Sequence, residues 1–390
     1  MVEPFNFSRL PVIHFGAGTA GKAVPLASRY GRRLLLVTGK TSFAESLRGQ
    51  KILDQLDAFR IKYDIVSLSG EPETSFIDHT ASVFRKSRPD IVLAAGGGSV
   101  IDAGKALSAM IPVDRPVWDY LEGNPEQVQH PGTKLPFIAM PTTAGTGSEA
   151  TKNAVLTVTE DPSLKKSLRH DSFMPDIAIV DPELSAGCPP DVTAASGLDA
   201  VTQLLEGWLS TSSSAVTDAL AGEALKKALK SIRRAVKNGS DLAARADMAY
   251  AALISGIVLA NAGLGAVHGF ASVLGGRYNI PHGVVCGTLL GAVTRSNIGR
   301  LKKEPDSPYL EKLSRAGRWL CADSRGADDD HSLCLAGELD RLIEDFNIPR
   351  LGMYGVTAAD TENLAAATGI KNNPVRLDRE ELKNILDSRL

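Results

Sequence analysis

The sequence predicts two domains in tandem: an α/β domain built on a parallel sheet, then an all-α domain. Two observations carry this expectation. Over the first half, short runs that are apolar throughout alternate with stretches long enough for crossover helices. That is the pattern of strands buried on both faces of a parallel sheet. From about Pro189 onward the β signal fades, and Ala/Leu-rich helical patterns take over. The boundary, dividing 1–187 from 188–390, is expected in DPELSAGCPPD (residues 181–191), which is rich in turn formers.

The predicted strands are residues 10–15, 34–38 (LLLVT), 61–68, 91–95 (IVLAA), 136–140 and 177–180. Between them, residues 42–58 and 76–87 read as crossover helices. The second half reads as helices over 192–210, 216–237, 242–262, 283–296, 310–321, 332–346 and 361–367, with a closing helix over 379–390. Asp360 is placed to N-cap the helix that follows it. Residues 323–330 (DSRGADDD) read as a solvated surface loop.

At 390 residues the chain can bury two sizeable cores. A formal charge of −2 supplies no electrostatic reason to bind nucleic acid or an anionic membrane. No continuous apolar run reaches the ~20 residues of a membrane span, and the N-terminus lacks the basic-then-apolar layout of a secretory signal. The four cysteines, Cys188, Cys286, Cys321 and Cys334, follow no zinc or redox spacing. They are expected to be free, packing thiols in a reducing cytoplasm.

Three stretches carry chemistry. In AGGGSVIDAGKA (95–106) a buried strand runs into three glycines and then a helix. Glycine lets phosphate oxygens reach backbone N–H groups, and the new helix offers them its positive end. An earlier GxGxxG, Gly16 to Gly21, lacks the acidic residue about 20 positions on that a dinucleotide fingerprint requires. The Gly96–Ser99 turn is therefore the better phosphate site. PTTAGTGSEAT (141–151) sets Thr142, Thr143, Thr146 and Ser148 after another buried strand, where ligands of open α/β sheets collect. In the helical half, GAVHGFASVLGGRYNIPHG (265–283) holds His268 and His282 among small residues, and Pro-His-Gly reads as a turn at the end of an element. Asp199 and Gln203 project from one helix face at i and i+4. Together these four form a plausible ligand set for a divalent transition metal, against the alternative that the histidines are core residues.

In order along the chain, FGAGTAGK, GGGSVID with Lys105, PTTAGTGSE, AIVDPEL, SGLDA, HG…PHG and NNPVRLDREELKNIL resemble the iron-containing (group III) alcohol dehydrogenases of the dehydroquinate synthase-like superfamily. The likeness runs essentially end to end. It implies an N-terminal nicotinamide-binding domain, a C-terminal metal domain and an active site between them. It further implies that Gly97, Gly98 and Ser99 hold the pyrophosphate, with Asp102 beside the nicotinamide. Thr142, Thr143 and Thr146 line the cofactor, and Lys165 lies near the ribose. The implied metal ligands are Asp199, Gln203, His268 and His282, for Fe²⁺ or Zn²⁺. The implied activity is hydride transfer between NADP or NAD and a small alcohol or aldehyde, in a homodimer.

Two positions depart from the family pattern. Gln203 stands where iron-dependent members have His, and Ser272 where they have a second histidine. Ser272 with water is expected to replace that proton relay. Where NAD-preferring members often carry Asp, this chain has Gly39, then Lys40 and Thr41, an arrangement that favours NADP(H). The rival readings are a metal-independent oxo-acid reductase, as in maleylacetate reductases, and a cofactor-binding protein without turnover.

Overall fold

The structure, a computed structural model, describes residues 3–40, 43, 45–159, 164–304, 306–321 and 331–390. It divides into two compact units, Ser8–Cys188 and Pro189–Leu390, the latter joined by Met1–Phe7.

The first unit contains β1 (Val12–Phe15), β2 (Arg33–Gly39), β3 (Lys62–Leu68), β4 (Ile91–Gly96), β5 (Phe137–Pro141), β6 (Asn153–Val158), β7 (Leu164–Arg169) and β8 (Ile177–Val180). Its helices are α1 (Ala23–Ala27), α2 (Leu47–Ala58), α3 (Thr74–Lys86) and α4 (Gly98–Met110). Six strands form one sheet in the order β1-β8-β5-β4-β2-β3, and every pairing in it is parallel. Side chains of a strand alternate between faces, and here both faces are apolar. Leu35, Val37, Val92, Ala94, Phe137 and Ala139 face a core shared with α3 and α4. Leu34, Leu36, Ile91, Leu93, Ile138 and Met140 face a second core shared with α1 and α2. That is why these strands read as unbroken apolar runs.

From β2 the chain steps outward to β3, then crosses back to place β4 on the other side of β2. The C-terminal ends of β2 and β4 thus flank a topological switch point, where open α/β sheets bind ligands. The antiparallel hairpin β6–β7 was not predicted. Its second strand, LKKSLR, is too polar to stand out, and only alternate positions of its first strand are fully buried.

The second unit is helical: α5 (Pro190–Trp208), α6 (Ala215–Lys237), α7 (Leu242–Ala262), α8 (Ala266–Arg277), α9 (His282–Leu301), α10 (Pro308–Leu320), α11 (His331–Asp345), α12 (Ala358–Ala367) and α13 (Arg379–Asp387). Helix α7 is long and apolar enough to cross a bilayer by length and composition, yet 67% of that window is buried. It packs on α5 and α6 as a core helix.

Three expectations are corrected here. Residues 266–277, read only as a glycine-rich stretch, form α8. Its glycines serve close packing, since a Cβ on Gly269 would fall 1.9 Å from the Gly369 carbonyl oxygen. Asp360 does not N-cap α12. Thr357 does, and Asp360 at the third position accepts from the Thr357 backbone N–H at 2.9 Å, closing a capping box. Finally, Cys321 and Cys334 are not free thiols but a disulfide, brought to a Cα separation of 6.5 Å by the packing of α10 on α11. The predicted loop at 323–330 lies outside the described residues.

Candidate active site

Asp199 sits in the middle of α5, His268 in the first turn of α8, and His282 at the first residue of α9. Their donor atoms converge. Asp199 Oδ1 lies 3.5 Å from His268 Nε2 and 3.5 Å from His282 Nε2. A fourth group joins them that was expected only to pack. Cys286, one turn along α9 from His282, places Sγ 3.6 Å from each of the two Nε2 atoms. All four donor atoms lie within 4.8 Å of one another. Asp199 and Cys286 are buried, whereas the His282 side chain is 38% exposed, so the cluster is reachable at His282.

Asp199 Oδ1 is buried and has no hydrogen-bond partner. An orphaned carboxylate oxygen costs energy unless something satisfies it, and here it faces two imidazole nitrogens at distances too long for hydrogen bonds. A cation at the centre would satisfy all of them, so the residues fit a divalent metal. Glu206 prepares the set: its Oε2 accepts from His268 Nδ1 at 2.7 Å, and its Oε1 accepts from the Val267 backbone N–H at 2.6 Å. With Nδ1 carrying the proton, Nε2 is left bare towards the cluster, the usual outer support of a metal-binding histidine. Burial alone would raise the Asp199 carboxyl, but His282 and His268 bring it down to about 2. Burial works to lower the His268 imidazole, yet Cys286, Asp199 and Glu206 hold it well above its ordinary value. Both directions describe a pocket that calls for positive charge.

Gln203 and Ser272 lie one helical turn along from Asp199 and His268, on α5 and α8. The Gln203 amide oxygen accepts from Ser255 Oγ at 3.2 Å, and the Gln203 side chain helps to hold the Asp199 carboxyl low. Ser272 is exposed; its hydroxyl donates to the His268 carbonyl at 2.8 Å and accepts from Lys371 Nζ at 3.2 Å. Glu206 and Cys286 were missed from the sequence, although a signal existed for each. Glu206 shares a helix face with Asp199 and Gln203, and Cys286 follows His282 by one helical turn.

In the first unit, β4 ends at Gly96 and Gly97 is the N-cap of α4, with no side chain capping the helix. The first-turn N–H groups at Gly98 and Ser99 are thus available to an anion. Thr143 and Thr146 close over this turn: a Cβ on Gly97 would meet Thr143 at 3.5 Å, and one on Gly98 would fall 2.5 Å from Thr146 Cγ2. Thr142 follows β5, and its backbone N–H donates to the Gly96 carbonyl at 2.9 Å. Gly39 ends β2 and Lys40 is exposed beyond it. Thr41 lies outside the described residues. Lys165 on β7 pairs with Glu71 at 2.6 Å.

Asp102 lies one turn into α4 and is held from three sides. It accepts from Ser148 Oγ and, at 3.0 Å, from the Val155 N–H, with Lys105 Nζ 3.8 Å away. Lys105 is fully buried and donates to the Ser148 carbonyl, Ser148 Oγ, Thr151 Oγ1 and the Asn153 carbonyl at 2.7–3.0 Å. Burial lowers the Lys105 ammonium to about 8 and raises the nearby Glu149 carboxyl to about 7.

A parallel sheet with glycines at its switch point, followed by a helical unit carrying an Asp/His/His donor set, gives the chain a phosphate-accepting turn and a cation-fitting cluster. The chain belongs to the iron-containing alcohol dehydrogenase family: the family's sequence profile matches residues 11–182, and that of its C-terminal domain matches residues 193–390. It is 32% identical to long-chain-alcohol dehydrogenase 1 of Geobacillus thermodenitrificans, over 91% of this chain and 87% of that one. A crystal structure of 1,3-propanediol oxidoreductase superposes with a TM-score of 0.88 at 31% identity, covering 100% of both chains. Sulfoacetaldehyde reductase from Bifidobacterium kashiwanohense, solved with NAD⁺, gives 0.86 at 28% identity, covering 99% of each. The protein is an oxidoreductase acting on CH–OH groups with a nicotinamide cofactor.

Proposed function

We propose that the chain interconverts small alcohols and aldehydes with NADP(H), using a divalent cation held by Asp199, His268 and His282. The observation that carries this reading is the buried, partnerless Asp199 Oδ1 facing two imidazole nitrogens at 3.5 Å. When bound, the cation supplies Lewis acidity to the substrate oxygen, and the nicotinamide gives or takes the hydride.

The chain's own residues position these groups. Glu206 fixes the tautomer of His268, and Gln203 steadies Asp199. Gly97, Gly98 and Ser99 present N–H groups to the pyrophosphate, with Thr142, Thr143 and Thr146 lining its other side. Asp102, tied to Ser148 and the Val155 N–H, keeps the α4 end of this site in place. Lys165, ion-paired to Glu71, borders the ribose. Ser272, exposed one helical turn after His268 and hydrogen-bonded to the His268 carbonyl and Lys371 Nζ, with water takes the place of the proton relay. Assembly as a homodimer belongs to the same reading and rests on the family alone; light scattering on the purified protein checks it. A cytoplasmic location stands against the Cys321–Cys334 disulfide, which a reducing compartment opens.

A panel of short alcohols and aldehydes, assayed with both nicotinamides and with zinc- and iron-loaded protein, tests the proposal. Turnover of any member supports it, and silence across the panel sinks it. Gly98→Ala is expected to weaken NADPH binding about tenfold, roughly 1.4 kcal/mol, because the new methyl drives Thr146 into the phosphate space. Isothermal titration reads this directly. Gly39→Asp is expected to shift the NADPH-to-NADH ratio of kcat/KM towards NADH by about tenfold or more. A carboxylate at the end of β2 repels a 2′-phosphate and accepts from a 2′-hydroxyl.

A further inference from the structure

We infer that Cys286 Sγ is the fourth protein ligand of the cation, making an Asp/His/His/Cys site built for zinc rather than iron. This rests on the proposed metal role of Asp199, His268 and His282, and adds to it.

The geometry decides which residue completes the set. Tetrahedral bonds of about 2.0–2.1 Å to N or O and about 2.3 Å to S put neighbouring ligand atoms roughly 3.3–3.6 Å apart. Adjacent ligands of an octahedron at similar bond lengths would sit nearer ~3.0 Å. The distances from the imidazole nitrogens to Asp199 Oδ1 are 3.5 Å, and those to Cys286 Sγ are 3.6 Å. All four separations fall in the tetrahedral range. The Gln203 amide oxygen accepts from Ser255 Oγ at 3.2 Å, whereas Cys286 Sγ lies 3.6 Å from each of the two imidazole nitrogens.

The second, independent observation is Asp199 Oδ1. It is buried and unpartnered, and it aims into the space that Cys286 closes on the other side. A thiol that merely hydrogen-bonded to the two imidazoles would leave that oxygen unsatisfied. Helix α9 supplies both His282 and Cys286 from one face, a turn apart, so the two are oriented together. Soft thiolate with imidazole selects zinc among common divalent ions, and zinc accepts a fifth ligand transiently without losing the set.

The test uses the full chain, stripped with a chelator and reloaded with Co²⁺, an ion whose spectrum reports sulfur ligation. Wild type is expected to show an intense near-ultraviolet sulfur-to-cobalt band. Cys286→Ser is expected to bind cobalt without that band and to hold zinc at least about a hundredfold more weakly in chelator competition, beyond the roughly 10–100-fold that losing an outer support costs. Cys188→Ser, altering the other cysteine outside the disulfide, should leave the band intact. Cobalt bound by wild type with no sulfur band, or a band surviving in Cys286→Ser, overturns the inference while leaving the Asp/His/His metal reading standing. No cobalt binding by any variant overturns both.

Discussion

His268→Ala is expected to purify as folded protein without bound metal and to lose about a thousandfold in kcat/KM. Two effects combine. The substitution removes one of the three donors that define the site, and it leaves Glu206, buried and hydrogen-bonded to His268 Nδ1, without that partner. Lewis-acid stabilisation worth several kcal/mol disappears with the ion, at about 1.4 kcal/mol per decade of rate. Stability should fall too, by roughly 1–3 kcal/mol, for the stranded carboxylate. Glu206→Gln separates these contributions. It keeps the packing and an amide oxygen to accept from His268 Nδ1, so it should retain metal with about 10–100-fold lower affinity. Elemental analysis and steady-state kinetics on the two variants read the difference. A His268→Ala protein with wild-type metal content and turnover would remove His268 from the site.

Lys105→Met is expected to destabilise the first unit by about 3–5 kcal/mol, the cost of removing one partner from a buried charge network. The ammonium is fully buried, with three protons meeting four acceptors on the 148–153 segment and a carboxylate 3.8 Å away on its own helix. Methionine matches the length but leaves two carbonyls without that donor and Asp102 without that counter-charge. For a unit of this size the unfolding transition should drop by roughly 6–20 °C, at about 2–4 °C per kcal/mol. Differential scanning calorimetry checks it. A shift of less than about 2 °C would mean that Lys105 is dispensable to the fold. Because Ser148 and Asp102 border the glycine turn, nicotinamide affinity should fall together with the melting temperature.

How much of this was legible in the sequence depends on how each feature is encoded. The central strands showed plainly because α/β burial on both faces leaves unbroken apolar runs, as in IVLAA. The β6–β7 hairpin did not, since Lys165, Lys166 and Ser167 interrupt its pattern and only tertiary packing fixes it. Helix α8 hid behind glycines that read as turn formers until the backbone of 368–369 is seen packed against Gly269. Asp199, His268 and His282 were found because family motifs surround them. Cys286 was missed although it follows His282 by one helical turn: no second cysteine marks the spacing, and its other partners, Asp199 and His268, come from two other helices. Gln203 was named for its place on α5 beside Asp199; that its oxygen also accepts from Ser255 is set by side-chain packing, which spacing does not reveal. The disulfide likewise depends on how α10 meets α11, which no count of intervening residues reveals.

Anomalous X-ray diffraction from crystals of the zinc-loaded protein, collected on either side of the zinc edge, is the sharpest test of a shared cation. One strong peak about 2.0–2.2 Å from Asp199 Oδ1, His268 Nε2 and His282 Nε2 is the predicted result. Difference density showing zinc bound elsewhere, with these three side chains hydrogen-bonded only to one another, would contradict it.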